Sequence, residues 1–379
     1  MLNRRQFLAG ATAVAALGAP KQAPPPPPSV VLVAIEDLGA WMTGVYGARD
    51  LHTPNLDLLA AAGTRFVHAS TAAPAPQPGF AALMTGRMSG AGETIDRILA
   101  ARGFRTGSLV DGDMGTITDQ ALRFFDQQSP GQPFFAAIRY APLRESGKVA
   151  DKYRQQFAAS PFTEIGWLPA AANALDKKPF EAIVPHLREA AAAIAACDDQ
   201  LGALQNKLRA RGLADATLLA ITGTNGVLLG RHGLWGDGHA TNPPNMFEEV
   251  TAVPLIWNWP SGVPAGSIRP EVVSLCDVLP TLCELAGATA PSPITGRSMV
   301  RAVLNQPYPK KQRWPDLAGA KLDDTSMARN SRYKVVLREN GPGELYDLAN
   351  DRAEAYNRFD DPGYMGVRND LTRELNNWK

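Results

Sequence analysis

Residues 29–37 read SVVLVAIED. Seven small or apolar residues, rich in Val and Ile, run without polar alternation. Such a run marks a strand buried on both faces, as in the middle of a parallel sheet. It stops on two acids, Glu36 and Asp37, where an open α/β sheet presents the carboxyl end of a strand. TPNLDLLAAAG (53–63) follows as a helix, with Thr53 at the N-cap, Pro54 at the first helical position and Gly63 past the end. TRFVHAS (64–70), FRTGSLV (104–110), PFFAAIRY (133–140), ATLLAIT (216–222) and AVPLIWNW (252–259) read as further strands. GETIDRILAARG (92–103), an Ala-rich segment from about Phe180 to Arg211, and VVSLCDVLPTLCELAG (272–287) read as helices, with Pro280 kinking the last or standing near its start. Strands alternating with helices predict an α/β fold, a mostly parallel central sheet between helical layers. From about residue 312 the pattern changes to YKVVLRE, GELYDL and a polar final helix, a small C-terminal α+β subdomain. The chain therefore divides at 30–311 and 312–379, with no internal repeat.

The composition narrows the function classes. The 379 residues carry a formal net charge of +1, with 45% hydrophobic and 20% charged residues. That balance suits a globular chain and gives no reason to expect nucleic acid or an anionic membrane as partner. The partner is expected to be a small molecule or a protein. Three cysteines make no disulfide framework. Cys276 and Cys283 are seven apart in an expected helix, about 10 Å of rise, too far to bridge. Packing suits all three, Cys197 included, since their surroundings are apolar. Residues 1–22 read differently. Arg4-Arg5, then Phe7-Leu8, then an Ala-rich stretch give the order of a cleavable twin-arginine export signal; the alternative is a plain tail. The apolar part is shorter than the roughly 20 residues a membrane span needs. The prolines of 23–29 form a stiff spacer. On this reading the chain is exported to the periplasm or secreted, with no span in the mature protein.

Chemistry is expected at three strand ends: Glu36-Asp37, DGDMG (111–115) and GTNG (223–226). Adjacent acids there are ligands for a hard cation, or else a solvated loop or a helix cap. A fourth stretch, TAAPAPQPGFAALMTGR (71–87), runs from a Pro-rich turn into a helix expected to start with FAALMTGR, at Phe80. A helix N-terminus attracts anions, yet Pro, Ala and Gln offer no nucleophile, acid, base or ligand.

The segments taken together resemble the sulfatase family of the alkaline phosphatase superfamily, over nearly the whole mature chain. VVLVAIEDLGA, HTPNLDLLAAAGTRFVHAS, FAALMTGR, GETIDRILAARGFRTG, QLGALQNKLRARGLADATLLAITGTNG, RHGLWGDG, AVPLIWNWPSGVPAG, VSLCDVLPTLCELAGATAPSPITGRSM and GELYDLANDRAEAYN occur in family order. The resemblance implies an alkaline-phosphatase-like fold. It also implies hydrolysis of sulfate esters by a hydrated formylglycine, made from Cys or Ser in a C/S-x-P-x-R motif. A calcium ion would polarise sulfate and nucleophile, and Lys, His and Arg would neutralise developing charge.

The residues that would react depart from the pattern. FAALMTGR aligns without a gap, so the nucleophile position is Pro76, which cannot become formylglycine; Pro78 matches, and the motif arginine is Phe80. Family Lys and His fall on Asp111 and Asp113, a further His on Leu143, and a later Lys on Asp237. The first metal pair is Glu36-Asp37, and the second metal segment reads Thr224-Asn225-Gly226. Glu36, Asp37 and Asn225 are thus the residues of metal-compatible type, and His232 keeps its place in HGLW without a clear role. Three such residues fall short of the roughly six to eight ligands calcium takes. Asp111, Asp113 and water would complete the shell of one divalent cation, calcium or magnesium, if their loops leaned inward. Ser70, Thr71 and Thr85 are the candidates for a relocated nucleophile, and Arg139 and Arg144 flank the lost histidine as structural ion-pair partners or as positive charge. Three readings follow: an exported pseudoenzyme without formylglycine, in a binding or scaffolding role; a divergent metal-dependent hydrolase of sulfate or phosphate esters; and, from the acidic replacements, a pocket for a cationic group.

Overall fold

The computed structural model describes residues 27–145, 149–162, 180–310 and 313–378. The expected export signal and most of the proline spacer lie outside them. Seven strands form the main sheet: β1 (Ser29–Ile35), β2 (Thr64–Ser70), β3 (Arg105–Leu109), β4 (Phe134–Tyr140), β5 (Thr217–Gly223), β6 (Leu255–Asn258) and β7 (Ser267–Ser274). Their order is β3-β4-β1-β5-β6-β2-β7. All neighbours run parallel except β6, which is antiparallel to both β5 and β2. The apolar run SVVLVAI is the central strand: β1 pairs with β4 at Val30↔Phe135 and with β5 at Val30↔Leu218.

Period-two geometry explains why β1 needs apolar residues throughout. Val31, Val33 and Ile35 enter one core with α1 (Pro54–Ala61), with α4 (Met114–Asp126) and α5 (Asp151–Phe157), and with α6 (Phe180–Ala210). Val30, Leu32 and Ala34 enter the other, with α2 (Pro76–Thr85), α3 (Ile95–Ala101), α8 (Val278–Leu285) and α9 (Val300–Val303). A short α7 (Glu248–Thr251) precedes β6. The second sheet is antiparallel, ordered β11-β10-β9-β8. Its strands are β8 (Ala318–Leu322), β9 (Thr325–Arg329), β10 (Tyr333–Arg338) and β11 (Glu344–Asp347), and α10 (Met365–Trp378) packs on it. This small sheet carries the expected C-terminal subdomain. It braces the N-terminus of α2: Ala75 packs with Ala320, Leu322 and Met327, and Lys321 N–H donates to Ala72 O at 2.9 Å.

Two sequence expectations need correction. Residues 272–287 are not one helix. Val272, Val273 and Ser274 finish β7, a one-turn 3-10 helix spans Leu275–Asp277, and α8 begins at Val278 with Pro280 in its first turn. The reason is a half-exposed strand whose first residues are polar, SIRPE, so the apolar residues after it merged with the helix. The second concerns 71–87. The helix does not start at Phe80; it starts at Pro76, with Ala75 as N-cap and Gly86 left-handed at its end. Pro76 and Pro78 thus occupy the first turn, where a missing N–H leaves no broken bond and a fixed φ favours the helix. All three cysteines are free and buried, in keeping with packing.

Candidate functional site

The carboxyl ends of β1, β4 and β5 converge on one buried cluster of charge. β1 hands over to Glu36 and Asp37, and Asp37 holds a left-handed φ of 61°, a conformation non-glycine residues adopt only where surroundings enforce it. The enforcement is visible. Asp37 N–H donates to Asn225 Oδ1 at 3.3 Å, and Asn225 Nδ2 donates back to Asp37 Oδ1 at 2.8 Å. Thr224 Oγ1 also donates to Asn225 Oδ1, at 2.9 Å. The β5 end fits so tightly that a Cβ on Gly223 would meet Leu38 O at 2.0 Å.

Two arginines from the β4 end complete the cluster. Arg139 Nε donates to Glu36 Oε1 at 2.5 Å, and its guanidinium lies 4.7 Å from the ring centre of Phe80. Arg144 stands in the one-turn helix Leu143–Glu145. Its Nη1 donates to Asp37 Oδ1 at 2.9 Å and to Asp237 Oδ2 at 3.1 Å. Burial pushes the Asp37 carboxyl up to about 7; Arg144 and the Asn225 amide pull the other way, while Asp237 and Glu36 add to the rise. Asp37 Oδ2 is buried without a hydrogen-bond partner.

The other singled-out residues divide. Leu143 is buried core, its N–H 3.4 Å from Glu36 O. Asp237 caps a turn by accepting from His239 N–H at 2.9 Å while holding Arg144. Asp111 and Asp113 do not lean inward: both are exposed, and Asp113 accepts from Thr116 N–H at 2.8 Å as the N-cap of α4. His232 turns away to Glu249, at 3.1 Å, and stacks on Phe247. Burial works to raise the Glu249 carboxyl, but His232 and Arg231 outweigh it and hold it down to about 2. Two of the candidate hydroxyls serve the backbone. Thr71 Oγ1 donates to Thr224 O at 2.6 Å, and Thr85 Oγ1 donates to Ala81 O at 2.8 Å. Ser70 Oγ is buried without a partner.

The acidic pocket inferred from the replacements is therefore not what the structure holds. Two of its aspartates face solvent, and the third is paired with a guanidinium. The sequence flagged both arginines as ion-pair candidates but not their partners. The available signal was β4's place beside β1, which brings 139–144 next to the acid pair.

The donor set also bears on a cation. Glu36 is held by Arg139, Asp37 Oδ1 by Arg144 and Asn225, and the Asn225 carbonyl by Asp37 N–H and Thr224. Asp37 Oδ2 is buried without a partner, and Arg139 binds Glu36 at Oε1 alone, so one oxygen of each acid is left over, far short of the roughly six to eight ligands calcium takes. Among the described residues, no three His, Cys, Asp or Glu side chains converge as metal ligands. The residues present do not fit the calcium site that the resemblance implies.

Comparison with known proteins places this geometry in context. A sulfatase family model matches residues 28–108 and 110–288, and an N-sulphoglucosamine sulphohydrolase C-terminal model matches 239–379. An N-acetylglucosamine-6-O-sulfatase of Bacteroides thetaiotaomicron is 26% identical across 50% of this chain, which is 35% of that protein's length. Human arylsulfatase A is 26% identical across 87% of this chain and 83% of its own. A protein solved with its substrate D-glucosamine-2-N,6-O-disulfate superposes with a TM-score of 0.81 at 19% identity, covering 93% of this chain and 97% of that one. The phosphonate monoester hydrolase of Agrobacterium radiobacter superposes at 0.79, with 18% identity, 93% of this chain and 95% of that one. The two superpositions establish the fold.

Proposed function

Since the chain belongs to the sulfatase family, we propose that it is an exported member that has given up ester hydrolysis and keeps the scaffold for binding a small molecule or a protein. The observation that carries the reading is Pro76. At the first residue of α2 it stands where the family's motif places its nucleophile, and its ring has neither thiol nor hydroxyl to oxidise. The positions around it follow. Phe80 replaces a guanidinium, Leu143 an imidazole, and Asp111, Asp113 and Asp237 replace cationic side chains. A sulfate ester approaching α2 would find little to neutralise the charge that builds up on its oxygens. Export rests on the twin-arginine stretch of residues 1–22. No helix among the described residues is long and apolar enough to cross a membrane.

The second reading, a divergent hydrolase of sulfate or phosphate esters acting through metal-held water, draws on the named activities of the relatives and on the open Asp37 Oδ2. One assay separates the two. Purified protein is expected to leave aryl and sugar sulfate monoesters and phosphate monoesters untouched. Turnover that disappears in Asp37→Ala would overturn the pseudoenzyme reading.

A further inference from the structure

We infer that the Arg144 guanidinium stands in for the divalent cation of this fold, as a cation tethered to the chain and needing no metal. The family position of that cation is defined by the ends of β1 and β5, Glu36-Asp37 and Asn225, and these same groups surround Arg144 and its neighbour Arg139. One nitrogen, Nη1, carries two protons and delivers one to each of two carboxylates, Asp37 Oδ1 and Asp237 Oδ2. Of these two acids, Asp37 is the one at a family metal position, so the guanidinium supplies positive charge to the acid on which a divalent ion would draw. The guanidinium is suited to the task because its charge persists at any pH the fold survives and its planar fork fixes direction.

Three further features agree. Asp237 occupies a family lysine position, so Arg144 meets an acid where a sulfatase would hold a second cation. The Asn225 side chain turns its NH₂ toward Asp37 and spends its carbonyl on Asp37 N–H and Thr224 Oγ1. A cation would demand the opposite face of that amide. Glu36, the other acid of the pair, is taken by Arg139, whose guanidinium covers Phe80. Positive charge lost from α2 at residue 80 thus returns from β4, spent on holding the acid pair and not on an incoming anion. The Arg144 side chain is 17% exposed and Asp37 fully buried, so the pairing is mostly shielded from solvent.

The inference goes beyond the loss of hydrolysis and does not require it; a metal-free chain that turned over esters would sink the proposed function and leave this standing. The test is calcium and magnesium binding to the full chain, by calorimetry and by elemental analysis after dialysis. Melting temperature is followed with calcium and with chelator. The native protein is expected to bind neither ion and to melt alike in calcium and in chelator. Arg144→Lys, which keeps the charge, is expected to behave the same way. Arg144→Gln removes the tethered cation and is expected to melt lower in chelator, with calcium restoring about 2 °C or more. If Arg144→Gln needs refolding, the yield with calcium against chelator is the same readout. Stoichiometric calcium on the native protein, with a melting point that falls in chelator, would overturn the inference. Equal destabilisation of Arg144→Gln with and without calcium would overturn it too, because the carboxylates would then not form a vacated cation site.

Discussion

Two corners at the carboxyl edge of the same sheet are held in different ways. At the N-terminus of α2, Pro76 and Phe80 stand at the positions that, on the reading proposed above, a sulfatase gives to its nucleophile and arginine, and neither side chain carries a reactive group. The helix is unharmed, since proline in a first turn forfeits no hydrogen bond. At the end of β1 the acids are paired: Arg139 and Arg144 hold Glu36, Asp37 and Asp237. On the proposed reading, the first corner lacks a group whose absence is energetically silent. The second could not be left alone, because buried carboxylates without a counter-charge are strongly destabilising.

This contrast can be broken or sharpened by measurement. The largest effect is expected at the second corner. Arg144→Ala, in the absence of divalent cations, should lower unfolding free energy by about 3–5 kcal/mol, the usual result of stranding a buried charge; denaturant titration measures it. A loss within a few tenths would erase the distinction between the corners.

The adjoining loop gives a pH signature. Glu249 is held down to about 2 by His232 and Arg231 despite its burial. A depressed carboxyl contributes stability above its unfolded value near 4.5 and loses it as pH falls toward 2. The loss is on the order of 3 kcal/mol by the conversion of about 1.4 kcal/mol per unit. Glu249→Gln should flatten stability between pH 4.5 and 2; an unchanged acid limb would show that the loop's charges matter little.

At the first corner, Gly79→Ala tests how closely α2 is seated. A Cβ there would meet Thr224 O at 2.2 Å and Ala73 O at 3.0 Å. We expect a loss of about 1–3 kcal/mol and a melting point to match. The smallest effect is expected at the position that matters most for chemistry. Pro76→Ala should cost under about 1 kcal/mol, chiefly by freeing the unfolded chain. Pro76→Cys should gain no sulfate-ester turnover even where formylglycine is made, since Phe80, Leu143 and Asp237 remain. Turnover by that single variant would show that the charges judged missing are dispensable.

Much of the fold was legible in residue order alone. SVVLVAI declared a strand buried on both faces, and the TPN start of α1 declared its helix by the proline at the first helical position. What failed was boundary chemistry. The polar start of β7 concealed a strand, because its first half faces solvent and its apolar end abuts the next helix. The start of α2 was placed four residues late, since two prolines look like a turn until the helix frame shows them in its first turn.

The site was legible in kind and not in connection. That residues 76 and 80 are proline and phenylalanine is read directly from the sequence, and no tertiary contact alters it. Covalent identity sets which atoms can become a nucleophile, so the sequence alone decides that residues 76 and 80 carry neither thiol nor hydroxyl. Whether Glu36 and Asp37 wait for a metal is another matter. It depends on Arg144, 107 positions away from Asp37, reaching one of the pair's oxygens within hydrogen-bond distance. It depends equally on Asp111 and Asp113 staying in solvent. Electrostatic energy is set by distance and burial, and only the folded chain sets those.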